Sequence, residues 1–212
     1  KDTGFSGLPD TSSLPDPSMM NMMSLTAAPV HFAMAATRYF HHYGLSPEEG
    51  KRTLAKIAVK NHHNGTLSPK AHLRREVTLE QVLNAPMIAW PLGLFDCCGN
   101  SDGASAAVIT RPEIAKKFRD DYVLIKGLGI SVGARQGELQ DDYDLVHFEE
   151  TVTAAQAAYQ EAGITNPRDE IDLAIVHDCF TITELIIYED IGFSPRGKAK
   201  EDVDSGFFAL DG

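Results

Sequence analysis

The sequence contains one tryptophan, three cysteines and no run of 18 apolar residues. Lacking such a run, it has no stretch that could form a membrane-spanning helix. Cys97, Cys98 and Cys179 make an odd count, and the vicinal pair is too close for ordinary disulfide geometry, which points to a reduced, cytoplasmic compartment. No Cys-x-x-Cys or matched His spacing accompanies them, so a zinc signature is absent and no metal site is expected. A G-x-G-x-x-G fingerprint and a P-loop Lys are missing too, which removes support for those modes of nucleotide binding. The opening Lys1-Asp-Thr-Gly-Phe-Ser-Gly7 has neither a leader pattern nor an initiator Met and reads as the inside of a longer protein.

What is present describes an ordinary globular chain. Its 212 residues are 43% apolar and 23% charged, enough to bury a sizeable core and far from disordered or collagen-like composition. The net charge of −11 argues against a general nucleic-acid binder, because affinity for a phosphate backbone comes from many Lys and Arg contacts. The charge is uneven, however. Lys51, Arg52, Lys56, Lys60, Lys70, Arg74 and Arg75 fall in one stretch without an acid, while the rest of the chain has 12 basic against 30 acidic residues. A local cationic segment on an acidic protein suits a compact polyanionic ligand better than a duplex, and it equally suits a basic loop facing solvent.

Along the chain, the first 28 residues read as an irregular Pro- and Gly-containing segment with a gap-filling Met cluster. Helical spacing from Ala27 to Tyr43 ends at Gly44, and Ser46-Pro-Glu-Glu49 opens a second helix expected to run to about Asn61. Thr78-Leu-Glu-Gln81 opens a short third helix. After the breaker Trp90-Pro-Leu-Gly93, three apolar runs predict buried strands: 104–109, 122–132 and 172–176. Helices are expected at about 112–118, 150–162 and 181–190. This alternation predicts an α/β second half with parallel pairing, behind a helical first ninety residues.

Two constellations could carry chemistry. At Ile175-Val-His-Asp-Cys-Phe180 a strand is expected to run into a helix, the place where an open α/β sheet presents free N–H groups and a partial positive charge. His177 there could donate to a developing oxyanion or shuttle a proton, and could equally satisfy backbone groups in the turn. Cys179 reads as a small buried residue rather than a nucleophile. The second constellation, from Phe95 to Ala107, has the small residues that allow close backbone approach to a ligand or a strand.

Lys60-Asn-His62, Asp96-Cys-Cys-Gly-Asn-Ser-Asp-Gly-Ala-Ser-Ala-Ala-Val-Ile109, and His177-Asp-Cys-Phe180 followed by Glu184-Leu185 and Tyr188-Glu189 together resemble the thiolase superfamily. They are most similar to the branch of the thiolase part of sterol carrier protein x, with its lipid-transfer and acetyl-CoA acetyltransferase-like members. Order and spacing agree over almost the whole chain. Other thiolase branches carry Asn-Glu-Ala-Phe where this sequence has His-Asp-Cys-Phe.

The resemblance implies part of a five-layered αβαβα fold with a mostly helical loop domain. Residues 1–93 would be the loop domain, 94–119 the end of the N-terminal half and 120–212 the start of the C-terminal half. It implies a Cys thioester mechanism that makes or cleaves a C–C bond of a 3-oxoacyl-CoA, with coenzyme A as substrate and no permanently bound cofactor. His177 would help form the oxyanion hole, and Phe180 would border the acyl and pantetheine channel. Cys98 falls where many thiolases place a Ser beside pantetheine, and Lys60, Arg74 and Arg75 lie in the domain that covers coenzyme A. None of the three cysteines matches the family nucleophile, expected upstream of Lys1, and the Gly-His-Pro motif and acid/base Cys would follow Gly212. Two other readings stay open: a non-catalytic acyl-CoA or lipid-binding protein, and an aldolase acting on a steroid side-chain CoA ester with a small OB-fold partner. In those aldolases Tyr is expected at the position of His177. The family implies a homodimer or homotetramer.

Overall fold

The computed structural model describes residues 28–133 and 143–212. The irregular opening segment and its Met cluster lie outside the described residues.

Helix α1, Ala28–His42, ends where Gly44 takes φ +68 and the Leu45 N–H reaches back to the Phe40 carbonyl at 2.8 Å. This six-to-one bond is the Schellman closure that a positive-φ glycine permits. Ser46 then caps α2, Pro47–Leu67, with a reciprocal box: the Glu49 N–H donates to its hydroxyl at 3.2 Å, and its own N–H donates to the Glu49 carboxylate at 3.0 Å. The helix runs six residues past Asn61, correcting the expected end. Tertiary partners hold Asn61, His62 and His63 in place, and the stop comes at Ser68, whose successor Pro69 disfavours helical geometry. Thr78 and Gln81 form a second box on α3, Leu79–Leu83.

Strands β1, Met87–Ala89, and β2, Leu92–Gly93, pair antiparallel around Trp90-Pro91 and lead into a 3₁₀ turn, Leu94–Asp96. Helices α4, Pro112–Ala115; α5, Glu149–Ala162; α6, Pro167–Glu170; α7, Thr181–Asp190; and α8, Ala199–Ser205, complete the described elements.

The core is organised around α7, all ten of whose residues are buried. It is packed by α1, α2, α5 and α8, with Tyr39, Leu54, Ile57, Leu92, Leu185 and Ile186 among the central side chains. A smaller cluster of Ala55, Ala58, Val77 and Val82 joins α2 to α3. The acids of α7 are matched inside the protein. Glu189 accepts from the Tyr39 hydroxyl at 2.5 Å and the Ala199 N–H at 3.1 Å, and Asp190 accepts from the Phe148 N–H at 2.9 Å and from Arg196.

The parallel sheet expected in the second half is not formed among the described residues, where the β1–β2 pair is the only sheet. Segments 104–109, 122–132 and 172–176 have no ladder partner. A strand cannot satisfy its own N–H and C=O groups, so an apolar extended run becomes a strand only when another is laid beside it. Their side chains stand outward, with Val108, Val123 and Ile175 each more than nine-tenths exposed. One face of the second run is nevertheless docked: Gly127 and Gly129 lie so close to α5 that a Cβ at either would overlap the carbonyl oxygens of Ala158 and Ala154. Positions two apart on an extended chain meet positions four apart on a helix.

Candidate functional site

The two constellations expected to carry chemistry meet in space. The extended run 172–176 leads into His177, Asp178, Cys179 and Phe180, and the chain then enters α7. The Cys98 N–H donates to the Cys179 carbonyl at 2.9 Å, and Cys97 is bridged antiparallel to Phe180. Asp96 fixes this junction from beneath, accepting from the Gly93 N–H at 2.8 Å and from the Thr181 hydroxyl at 2.9 Å. Burial raises the Asp96 carboxyl above its ordinary range, while those two hydrogen bonds pull it back down.

His177 and Cys98 are both exposed at this junction. Phe180 is buried and stacks on Phe32 of α1 with ring centroids 4.4 Å apart. The neighbouring thiols are poor nucleophiles where they stand: burial pushes Cys97 up to about 12, and burial raises Cys179 as well.

The basic stretch divides. Lys60 points inward and pairs with the buried Glu184 at 2.5 Å, and Lys56 pairs with Asp204 at 2.5 Å. Arg74 and Arg75 are exposed. The loop bearing them is tied to the site at two points. His62 of α2 meets the Arg75 carbonyl at 3.1 Å and sets its ring edge against Phe95, while His72 hydrogen-bonds Ser101 in the turn that follows Cys98. Four stretches far apart in sequence, 60–62, 72–75, 95–101 and 177–180, thus share one corner of the molecule.

Beneath His177 lies a polar network that sequence reasoning did not assemble. The Asn61 side-chain amide donates to Asp178 Oδ2 and to Glu184 Oε2, each at 2.5 Å. Lys60 and the Tyr188 hydroxyl both donate to Glu184 Oε1. Burial pushes the Asp178 carboxyl up to about 7, with the Glu184 charge adding to the rise and the Asn61 hydrogen bond opposing it. The available signal was Glu184, an acid set among Ile182, Leu185, Ile186 and Ile187 in the middle of a helix, since such a charge needs a partner from another element. Among the described residues no group of His, Cys, Asp and Glu is arranged to hold a metal ion, and no helix is long and apolar enough to cross a membrane.

Comparison with known proteins gives the following. Residues 131–212 match the family described as Thiolase C-terminal domain-like. The chain is 37% identical to an acetyl-CoA acetyltransferase of Methanothermobacter thermautotrophicus over 184 residues, covering 87% of this chain and 46% of that protein. It is 30% identical to sterol carrier protein 2 of Gallus gallus over 194 residues, covering 89% of this chain and 34% of that protein. The solved Ltp2-ChsH2(DUF35) aldolase superposes with a TM-score of 0.74 at 30% identity, covering 89% of this chain and 49% of that one. The chain therefore spans less than half the length of the relatives it matches.

Proposed function

Because the chain belongs to the thiolase superfamily, on the branch of sterol carrier protein 2, and has a thiolase fold, we propose that it is part of an acyl-CoA acyltransferase. In this reading the full protein makes or cleaves a C–C bond of a 3-oxoacyl-CoA through a Cys thioester. The acylated thiol belongs to the portion of the relatives' length that this chain does not span. The five-layered arrangement, with 1–93 as loop domain, 94–119 closing one half and 120–212 opening the other, is part of the same proposal. So is a homodimeric or homotetrameric state.

The observation that carries the reading is the convergence of the basic loop on the His177 turn through three consecutive residues. Lys60 and Asn61 hold the acids beneath His177, and His62 holds the backbone of Arg75. An exposed imidazole just before the N-terminus of a buried helix is suited to donate to a thioester oxygen as negative charge develops on it. Exposed Arg74 and Arg75 suit the phosphates of coenzyme A, whereas Lys60, expected with them, is engaged by the buried Glu184. Cys98 borders the pantetheine arm and Phe180 the acyl channel.

The test is a thiolysis assay on the full-length protein. His177→Ala is expected to lower kcat by about 10²- to 10³-fold, as loss of one oxyanion donor does. Paired removal of the Arg74 and Arg75 charges is expected to weaken coenzyme A binding and flatten its salt dependence. Absence of both thiolysis and acyl transfer to a Cys would overturn the reading.

A second reading is favoured by the aldolase superposition: the same corner would bind a CoA ester for aldol cleavage, with a small OB-fold partner protein completing the active assembly. Retro-aldol release of an aldehyde or ketone without consumption of free coenzyme A would distinguish it. Acyl-CoA binding with neither reaction would support a lipid-transfer role, for which the likeness to sterol carrier protein 2 speaks.

A further inference from the structure

We propose that Asn61 is a positioning residue for His177, clamping Asp178 and Glu184 to a single amide so that α2 holds the turn that presents the imidazole. The inference rests on the reading of His177 as an oxyanion-hole donor.

The two hydrogens of the Asn61 amide are both used, one on Asp178 Oδ2 and one on Glu184 Oε2. Asp178 adjoins His177 in the chain, and Glu184 sits on the buried helix that follows the turn, so one side chain ties the turn to the centre of the core. The groups facing Asp178 are few. Lys60 of α2 is the cation, and its ammonium is engaged by Glu184 Oε1. Glu184 and Tyr188 face it from α7, Asp96 from the 3₁₀ turn. Asp178 Oδ1 is closed off from solvent and has no hydrogen-bond partner among the described residues. Two carboxyls thus share one ammonium and one amide. The arrangement is balanced when Glu184 is ionised against Lys60 and Asp178 carries a proton, which Oδ1 is free to hold. Loss of that proton to water places a second negative charge beside Glu184, and the repulsion between the two carboxylates strains the clamp even though the Asn61 hydrogen bond itself favours the charged form. A shift on the order of 1 Å in a group that contacts a transition state can cost about 10²-fold in rate, which is why a residue behind His177 matters to it.

The test uses the full-length protein, with kcat and KM for thiolysis and the imidazole resonances of labelled histidine, His177 being assigned by His177→Gln. Asn61→Ala is expected to lower kcat by about tenfold or more, leave KM for coenzyme A within about twofold, and move or broaden the His177 resonance. In the double variant Asn61→Ala/Asp178→Ala the two losses of kcat are expected not to add, because both substitutions break the same contact between α2 and the turn. Wild-type kcat is expected to fall above about pH 7, and Asp178→Asn to abolish that fall. An unchanged His177 resonance in Asn61→Ala, or losses that add in full in the double variant, overturns the proposal. If Asn61→Ala does not fold, the volume-conserving Asp178→Asn takes its place, and a His177 resonance that it leaves unmoved, in position and in pH dependence, overturns the proposal equally. If the wild type has no thiolysis activity, the functional reading fails, while the resonance measurements still decide whether Asn61 positions His177.

Discussion

Helix α7 and the extended run 172–176 are neighbours in sequence and opposites in structure. Every residue of α7 is buried, and each of its three acids has a partner brought by another element. In the run before it, Leu173 is 72% and Ile175 96% exposed although both are as apolar as anything in the helix. A helix closes its own backbone hydrogen bonds and needs neighbours only for its side chains, whereas a strand needs them for both. The same composition therefore gives a finished element in one place and a bare one in the other.

The sharpest way to test that contrast is to remove a side chain from each region. Leu185→Ala, at a fully buried position, is expected to cost about 2–5 kcal/mol in denaturant unfolding. A cost under about 1 kcal/mol would mean that α7 is not the centre of the core.

The acids of α7 and its leading turn predict a pH dependence. Asp178 is raised to about 7 and Asp190 to about 6, both chiefly by burial, from an ordinary 3.8. In this situation the folded state binds more protons than the unfolded one between the two values, so stability falls as pH rises through that window. Each group contributes a slope of up to roughly 1.4 kcal/mol per pH unit. Asp178→Asn is expected to halve the fall between about pH 4 and 6 and to remove it between about 6 and 7, as read from melts across that range.

Tyr39→Phe probes how completely the acids are matched. Glu189 would keep the Ala199 N–H and lose its hydroxyl donor, with Oε2 already unpartnered among the described residues. A cost of about 1–3 kcal/mol is expected. The smallest effect belongs to the bare run: Ile175→Thr is expected to change the stability of this 212-residue chain by less than about 0.5 kcal/mol.

Elements whose signals are local could be read from the sequence. Ser46 with Glu49 and Thr78 with Gln81 mark helix starts by side chains that bond their own backbone, and Gly44 and Gly163 mark ends by a conformation that other residues resist. The three expected strands have no ladder partner among the described residues, because apolar periodicity reports a preference for burial and says nothing of what lies alongside. At the site, His177, Cys98 and Phe180 stood out as motif members, and the structure brings them to one junction. Lys60 stood out for its charge, yet its partner Glu184 lies 124 residues away, a pairing that only the packing of α2 on α7 creates. Asn61 carries no charge and fits a helix surface as well as a core, so nothing in its spacing announced that it would hold two carboxyls.

The close approach of Gly127 and Gly129 to α5 has a mechanical consequence. With no side chains between them, the two hydrogens at those glycines set the height of α5 above the extended chain. Helix α5 also touches the far end of α7, where the Tyr159 hydroxyl donates to the Ile191 carbonyl at 2.9 Å. A methyl group added at either glycine has no space to occupy and acts as a shim, lifting α5 and pulling on the last turn of α7 from the end opposite the His177 turn.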